Sequence, residues 1–124
     1  MDAKYSEIYS EMVTALAKPG LAILNAMTPN SAHLLHMAVG VSGESGELLD
    51  AVKKHVVYNK PLDRENVIEE LGDLEFYMEG LRQGLGITRE ETLVANIVKL
   101  STGTKARYKA GYSDQAAQER ADKQ

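Results

Sequence analysis

Two short acidic runs carry most of the chemistry available to this 124-residue chain: Glu44-Ser45-Gly46-Glu47 and Glu70-Leu71-Gly72-Asp73. Residues three apart on a helix lie within about 60 degrees of each other, so each pair of carboxylates projects from a common side. Four such groups brought together without compensation repel and shift each other's protonation. A hard divalent cation resolves the conflict. Magnesium takes oxygen ligands, keeps several waters, and is commonly shared between carboxylates and phosphate oxygens. Gly46 and Gly72, each inside an acidic run, are poor helix formers, at about 1 kcal/mol relative to alanine. Close helix approach beside the acids is the expected reason for them. Asp50 and Glu69 are nearby but point further round their helices. The absence of cysteine excludes thiolate ligands, and a di-iron bundle is disfavoured because Glu-x-x-His units are missing.

The elements that must position these acids read as helices. Tyr5, Ile8, Met12 and Leu16 mark a first amphipathic segment over about 3–17, stopped by Pro19-Gly20. The apolar stretch Leu21 to Met27 fits either a helical turn or a packed linker. A second helix starts near Thr28 to Ser31, with Pro29 suited to its first turn, and ends before Asn59. Its seam is Leu34, Ala38, Val41, Ser45, Leu48, Val52 and Val56. Asp63 is positioned to cap a third helix with the seam Val67, Leu71, Leu74, Met78, Leu81 and Leu85, closed by Gly84 and Gly86. Phe76 and Tyr77 lie outside that seam. Thr88 with Glu91 is a capping-box signature for a fourth helix, whose apolar side is Leu93, Val94, Ile97, Val98 and Leu100. Each acidic pair borders a seam, so antiparallel packing of the second and third helices brings all four carboxylates to one edge. The predicted fold is a single all-α domain over 1–124. It is a bundle of about four helices, completed by oligomerisation, with 102–124 an irregular or flexible basic tail.

Charge placement is uneven, as two solvated faces would make it, or a metal site with groups that grip a polyanion around it. Ten acidic and four basic side chains fall between Glu44 and Glu79, whereas six basic and three acidic ones follow from Asn96 onward. The net charge of -4 does not suggest a surface for nucleic-acid polymers. No run approaches the length of a membrane span, and the N-terminus is unlike a signal peptide, so a cytoplasmic protein without a membrane partner is expected. His33 and His36 read as core or surface histidines rather than ligands. Tyr77, four residues after Asp73, reads as a core or interface aromatic or as a stacking platform.

With these runs in view, the segment from about Ser31 to Leu100 resembles the MazG-like all-α nucleotide pyrophosphohydrolases. Glu44-Ser45-Gly46-Glu47 matches the later part of that family's Glu-Glu-x-x-Glu motif, and Glu70-Leu71-Gly72-Asp73 its Glu-x-x-Asp motif. Gly43 stands where the leading glutamate is usual. Asn96-Ile97-Val98-Lys99 looks like the family's Asn-x-x-Lys element, while 103–106 delays Arg107-Tyr108. The resemblance implies Mg2+-dependent hydrolysis of a nucleoside triphosphate between the α and β phosphates, giving the monophosphate and pyrophosphate. It implies Glu44, Glu47, Glu70 and Asp73 as metal ligands and catalytic carboxylates; Glu47, whose helix angle lies further from the apolar seam than that of Glu44, is the one expected to orient or deprotonate the attacking water. It implies phosphate or sugar contacts from Asn96 and Lys99, with Arg107 and Lys105 as weaker substrate-binding candidates, and a homodimer or homotetramer as the working form. Two alternatives share the same acids: hydrolysis of another pyrophosphate-linked compound such as phosphoribosyl-ATP, and a non-catalytic helical oligomer.

Overall fold

The computed structural model describes residues 2–103, and their secondary structure is all-α, with no strand among them. Five helices follow in order: α1 (Asp2–Leu16), α2 (Gly20–Ala26), α3 (Pro29–Val56), α4 (Arg64–Leu85) and α5 (Arg89–Ser101). The extra element relative to the four expected is α2, seven residues long, formed by the apolar stretch the sequence left open between helix and linker. The segment 104–124, which holds most of the expected basic tail, lies outside the described residues, as does Arg107. Backbone contacts divide the chain into two compact units, Met1–Ala32 and His33–Gln124.

Helix boundaries follow local chemistry. In the first unit, α1 ends ahead of Pro19, which cannot continue it. At the start of α3, the Thr28 N–H donates to Ser31 Oγ at 2.8 Å and the Ser31 N–H donates to Thr28 Oγ1 at 3.0 Å. That reciprocal pair satisfies orphan donors as a capping box does, with serine in place of glutamate. In the second unit, Asp63 Oδ1 accepts from the Asn66 N–H at 3.1 Å and starts α4. Gly86, at φ 68°, supplies the left-handed residue that ends α4. Gly84, expected to help close that helix, instead lies inside it. Thr88 and Glu91 form the expected capping box of α5, with bonds of 3.0 and 2.8 Å.

Within the second unit α3 and α4 run antiparallel. A Cβ at Gly40 would collide with the Tyr77 ring, one at Gly80 with Met37, and one at Gly84 with His33 and Leu34. Bare backbone at these three positions therefore lets the helices close on each other. The residues they bury follow a three-four rhythm on both sides. On α3, Leu34, Met37, Val41, Glu44, Leu48 and Ala51 are buried or half-buried; on α4, Val67, Glu70, Leu74, Tyr77, Leu81 and Gly84 are half-buried. This is the spacing of a coiled-coil seam.

The seam differs from the expected one in an instructive way. Ser45 and Leu71, assigned to it by periodicity, are exposed, and Glu44 and Glu70 stand one residue earlier at the interhelix positions. Tyr77, expected outside, belongs to the seam because Gly40 opens a slot for its ring. Gly46 and Gly72 do not mediate close approach within the chain: a Cβ at either meets nothing within 4 Å. The helix pair closes at its other end, where the glycines face large side chains.

At the corner between α4 and α5, Met78, Leu81, Arg82 and Leu85 share a cavity of about 230 Å³ with Ile87 and with Thr92 from the first turn of α5. Of the apolar side expected for α5, Leu100 is half-buried, whereas Leu93, Val94, Ile97 and Val98 are exposed. Among the described residues the buried core consists of Met37 and Ala51, both on α3.

A carboxylate cluster between two helices

Glu44 sits on α3 in line with Met37 and Val41, and it faces the first half of α4, where Glu70 and Asp73 occupy successive turns of one side. One carboxylate oxygen from each of Glu44, Glu70 and Asp73 lies within 4.8 Å of the others. Glu44 and Glu70 are half-buried, and Asp73 is exposed. Three of the four acids expected to converge are thus brought together. Glu47 stays outside this group and is exposed, yet near enough for its charge to act on Glu70.

The electrostatic strain concentrates on Glu70. Its pKa is raised above the ordinary glutamate value, first by burial, then by hydrogen-bonding contact with the Glu44 carboxyl, and further by the negative charges of Glu44, Asp73 and Glu47. Its Oε2 atom is buried and has no hydrogen-bond partner among the described residues. A buried carboxylate oxygen normally has a donor or a cation beside it. Among the described residues no lysine or arginine is drawn in to supply one: their ion pairs engage Lys54 with Asp50 at 3.1 Å, and Arg82 with Glu79 and Glu75.

That arrangement fits a divalent cation. Three converging carboxylates, one with an orphaned oxygen, form a hard, oxygen-only donor set open on the Asp73 side. Gly43, Gly46 and Gly72 leave free space beside the acids, since a Cβ at any of them would meet nothing within 4 Å.

Other expected residues occupy separate places. Asn96 and Lys99 are exposed on α5, Lys99 in its last turn. Arg107 and Lys105 lie outside the described residues. Asp50 is engaged with Lys54, one turn along α3, and Glu69 is exposed. His33 is half-buried and its Nε2–H donates to the Gly80 carbonyl at 2.8 Å, a structural bond across the helix pair. His36 meets the edge of Tyr77, with ring centroids 6.2 Å apart. The sequence reading passed over Glu79 and Gln83, which line a second cavity with Phe76 and Gly80. For Gln83 the signal was spacing, since Asp73, Phe76, Gly80 and Gln83 recur at three and four residues along one side of α4; Glu79 had none.

Comparison of the chain with models of known protein families, with curated proteins and with solved structures gives no match.

Proposed function

We propose that this chain is a magnesium-dependent nucleotide pyrophosphohydrolase of the MazG-like kind, cleaving nucleoside triphosphates between the α and β phosphates. The observation that carries the reading is the meeting of Glu44, Glu70 and Asp73 between α3 and α4, with one buried oxygen unpartnered. It is joined by the resemblance of the two acidic motifs. Neither acidic pair alone would support the reading, because such pairs are common on solvated helix faces.

Glu44, Glu70 and Asp73 are the residues that would hold the magnesium. When bound, the ion supplies charge neutralisation at the phosphate oxygens and makes water a better nucleophile. Glu47, exposed and one helical turn beyond Glu44, is the carboxylate free to orient the attacking water or accept its proton. Asn96 and Lys99 are the phosphate-side contacts of this proposal, with Arg107 from the following segment. Clustered carboxylates hold back a polyanion unless a cation bridges them, so turnover depends on the metal.

The proposed working form is a homodimer or homotetramer. In the second unit, Leu35, Val39, Leu49 and Val56 on α3 and Val94, Ile97 and Val98 on α5 are each more than half exposed. Apolar surface left in water is unfavourable by about 25 cal/mol per Å², and cyclic pairing of like subunits is the commonest way to cover it. The proposed compartment is the cytoplasm; no described helix is long and apolar enough to cross a membrane.

The deciding experiment incubates the protein with magnesium and a panel of ribo-, deoxyribo- and damaged nucleoside triphosphates, resolving products by chromatography. Monophosphate and pyrophosphate are expected. Diphosphate and orthophosphate as primary products would overturn the cleavage position, and no magnesium-dependent turnover of any nucleotide would overturn the enzyme.

A further inference from the structure

A second concavity lies on the same helix pair, and we propose that it receives the base of the nucleotide, favouring a base that carries an exocyclic amino group. This rests on the nucleotide reading above. The cavity, about 360 Å³, is lined by His33 and Met37 of α3 and by Phe76, Glu79, Gly80 and Gln83 of α4. That volume falls within the range of about 300–1,000 Å³ typical of small-molecule sites.

Its position relative to the acids follows from helix geometry. His33, Met37, Gly40 and Glu44 recur at three and four residues on α3, as Asp73, Phe76, Gly80 and Gln83 do on α4. Cavity and acids therefore share one side of the antiparallel pair. At a rise of 1.5 Å per residue, Gly80 lies about 10 Å along α4 from Asp73. An extended nucleotide spans a distance of that order between its base and its phosphate chain. A triphosphate held at the acids can reach the cavity along the groove between the helices.

The lining suits a flat heterocycle. Phe76 is 66% exposed, and its neighbour Tyr77 meets it at 88° rather than covering it, with centroids 5.2 Å apart. Ring surface is thus available for stacking, beside the apolar floor of Met37. Glu79 supplies the polar edge. Arg82 Nε donates to its Oε1 at 3.2 Å and Gln83 Nε2 donates to its Oε2 at 3.3 Å, so the carboxylate is fixed before any ligand arrives. Each oxygen retains acceptor capacity: adenine and cytosine offer it an amino donor where uracil has a carbonyl and only its ring N3–H to donate, and guanine offers its 2-amino group beside N1–H.

The test titrates the full chain with the α,β-methylene analogues of ATP, CTP and UTP and with inorganic tripolyphosphate, each with magnesium, by calorimetry. Tighter binding of the ATP and CTP analogues than of the UTP analogue is expected. Phe76→Ala, which removes an exposed side chain, should weaken the ATP and CTP analogues at least about fivefold, the smaller effect expected from loss of a base–aromatic stack. Tripolyphosphate affinity and helicity should stay unchanged. Preference for the UTP analogue, unaltered ATP affinity in F76A, or equal weakening of tripolyphosphate would each overturn the pocket. So would a fall in assembled mass in F76A with nucleotide affinity intact, which would make the groove an interface between copies. Absence of pyrophosphate release with this binding pattern intact would instead defeat the catalytic reading and leave the pocket standing.

Discussion

Glu44 and Glu70 face each other across the α3–α4 seam at positions where a helix pair ordinarily places apolar side chains, with carboxylate oxygens within 4.8 Å. Two like charges at such positions weaken the pair that contains them unless a cation or a proton joins them. The first three predictions follow from that tension.

Glu70→Ala and Asp73→Ala are expected to reduce magnesium-dependent pyrophosphate release at least a hundredfold while helicity by circular dichroism stays near that of the parent. Both side chains meet the proposed cation, and neither supports a cap or an ion pair among the described residues. Retention of half the parental rate in both variants would defeat the assignment.

Without metal, stability should fall as pH rises from the ordinary glutamate range through the raised pKa of Glu70. The sign follows from linkage: in that window the folded state binds more protons than the unfolded state, so the slope of unfolding free energy against pH is negative. Below the window both states are protonated and nothing is lost; above it the loss is complete. Glu70→Gln, which cannot ionise, should flatten this part of the profile. Denaturant titrations across the window give the comparison, and an identical slope in the variant would show that Glu70 is not the group responsible.

Magnesium should raise the melting temperature, and chelation should reverse the gain. A ligand at a hundred times its dissociation constant stabilises the folded state by about 2.7 kcal/mol. Because the ion takes the ionised carboxylates, binding near the raised pKa should release protons, seen as a buffer-dependent enthalpy in calorimetry. A melting temperature unmoved by millimolar magnesium would remove the basis for a metal site.

Alanine at two glycines should act in opposite directions. At Gly72 an added Cβ meets open space, so the helix-propensity gain of up to about 1 kcal/mol is expected to appear as added stability. At Gly40 the same gain is opposed by collision with the Tyr77 ring, an overpacking penalty of about 1–3 kcal/mol, and destabilisation is expected. Thermal melts of the two variants give the signs. Destabilisation by Gly72→Ala would mean that something approaches that backbone in the assembled protein.

Sedimentation at micromolar concentration should give a species of at least two chains, and Ile97→Glu, on the exposed side of α5, should shift it toward the monomer. A predominantly 13.6 kDa species with full activity would refute the oligomer.

The sequence made the helix ends and the acidic pairs legible because both depend on residues a few positions apart. Asp63, Gly86 and the Thr88–Glu91 box behave as their types require. What it concealed depended on a second helix. Periodicity alone placed Leu71 in the seam and Glu70 beside it, since a glutamate at an interhelix position contradicts the hydrophobic pattern used to find the seam. The glycines were misread for the same reason. Gly40 and Gly80 acquire their role only once Tyr77 and Met37 stand opposite, whereas Gly46 and Gly72 drew attention by lying among acids. Phe76, Glu79 and Gln83 became a group only when His33 and Met37 supplied the other wall.

The corner between α4 and α5 has a kinetic meaning. Within three residues, Gly86 turns the backbone left-handed, Ile87 N–H donates back to the Arg82 carbonyl at 2.9 Å, and Thr88 begins the next cap. Each of these bonds joins residues no more than five positions apart. Closing such short loops takes about 10–100 ns, against microseconds to milliseconds for distant pairings. The corner is therefore built from contacts of low sequence separation, which carry little loop-closure entropy. The α3–α4 seam joins residues as far as 47 positions apart, His33 and Gly80, and must close a much longer loop.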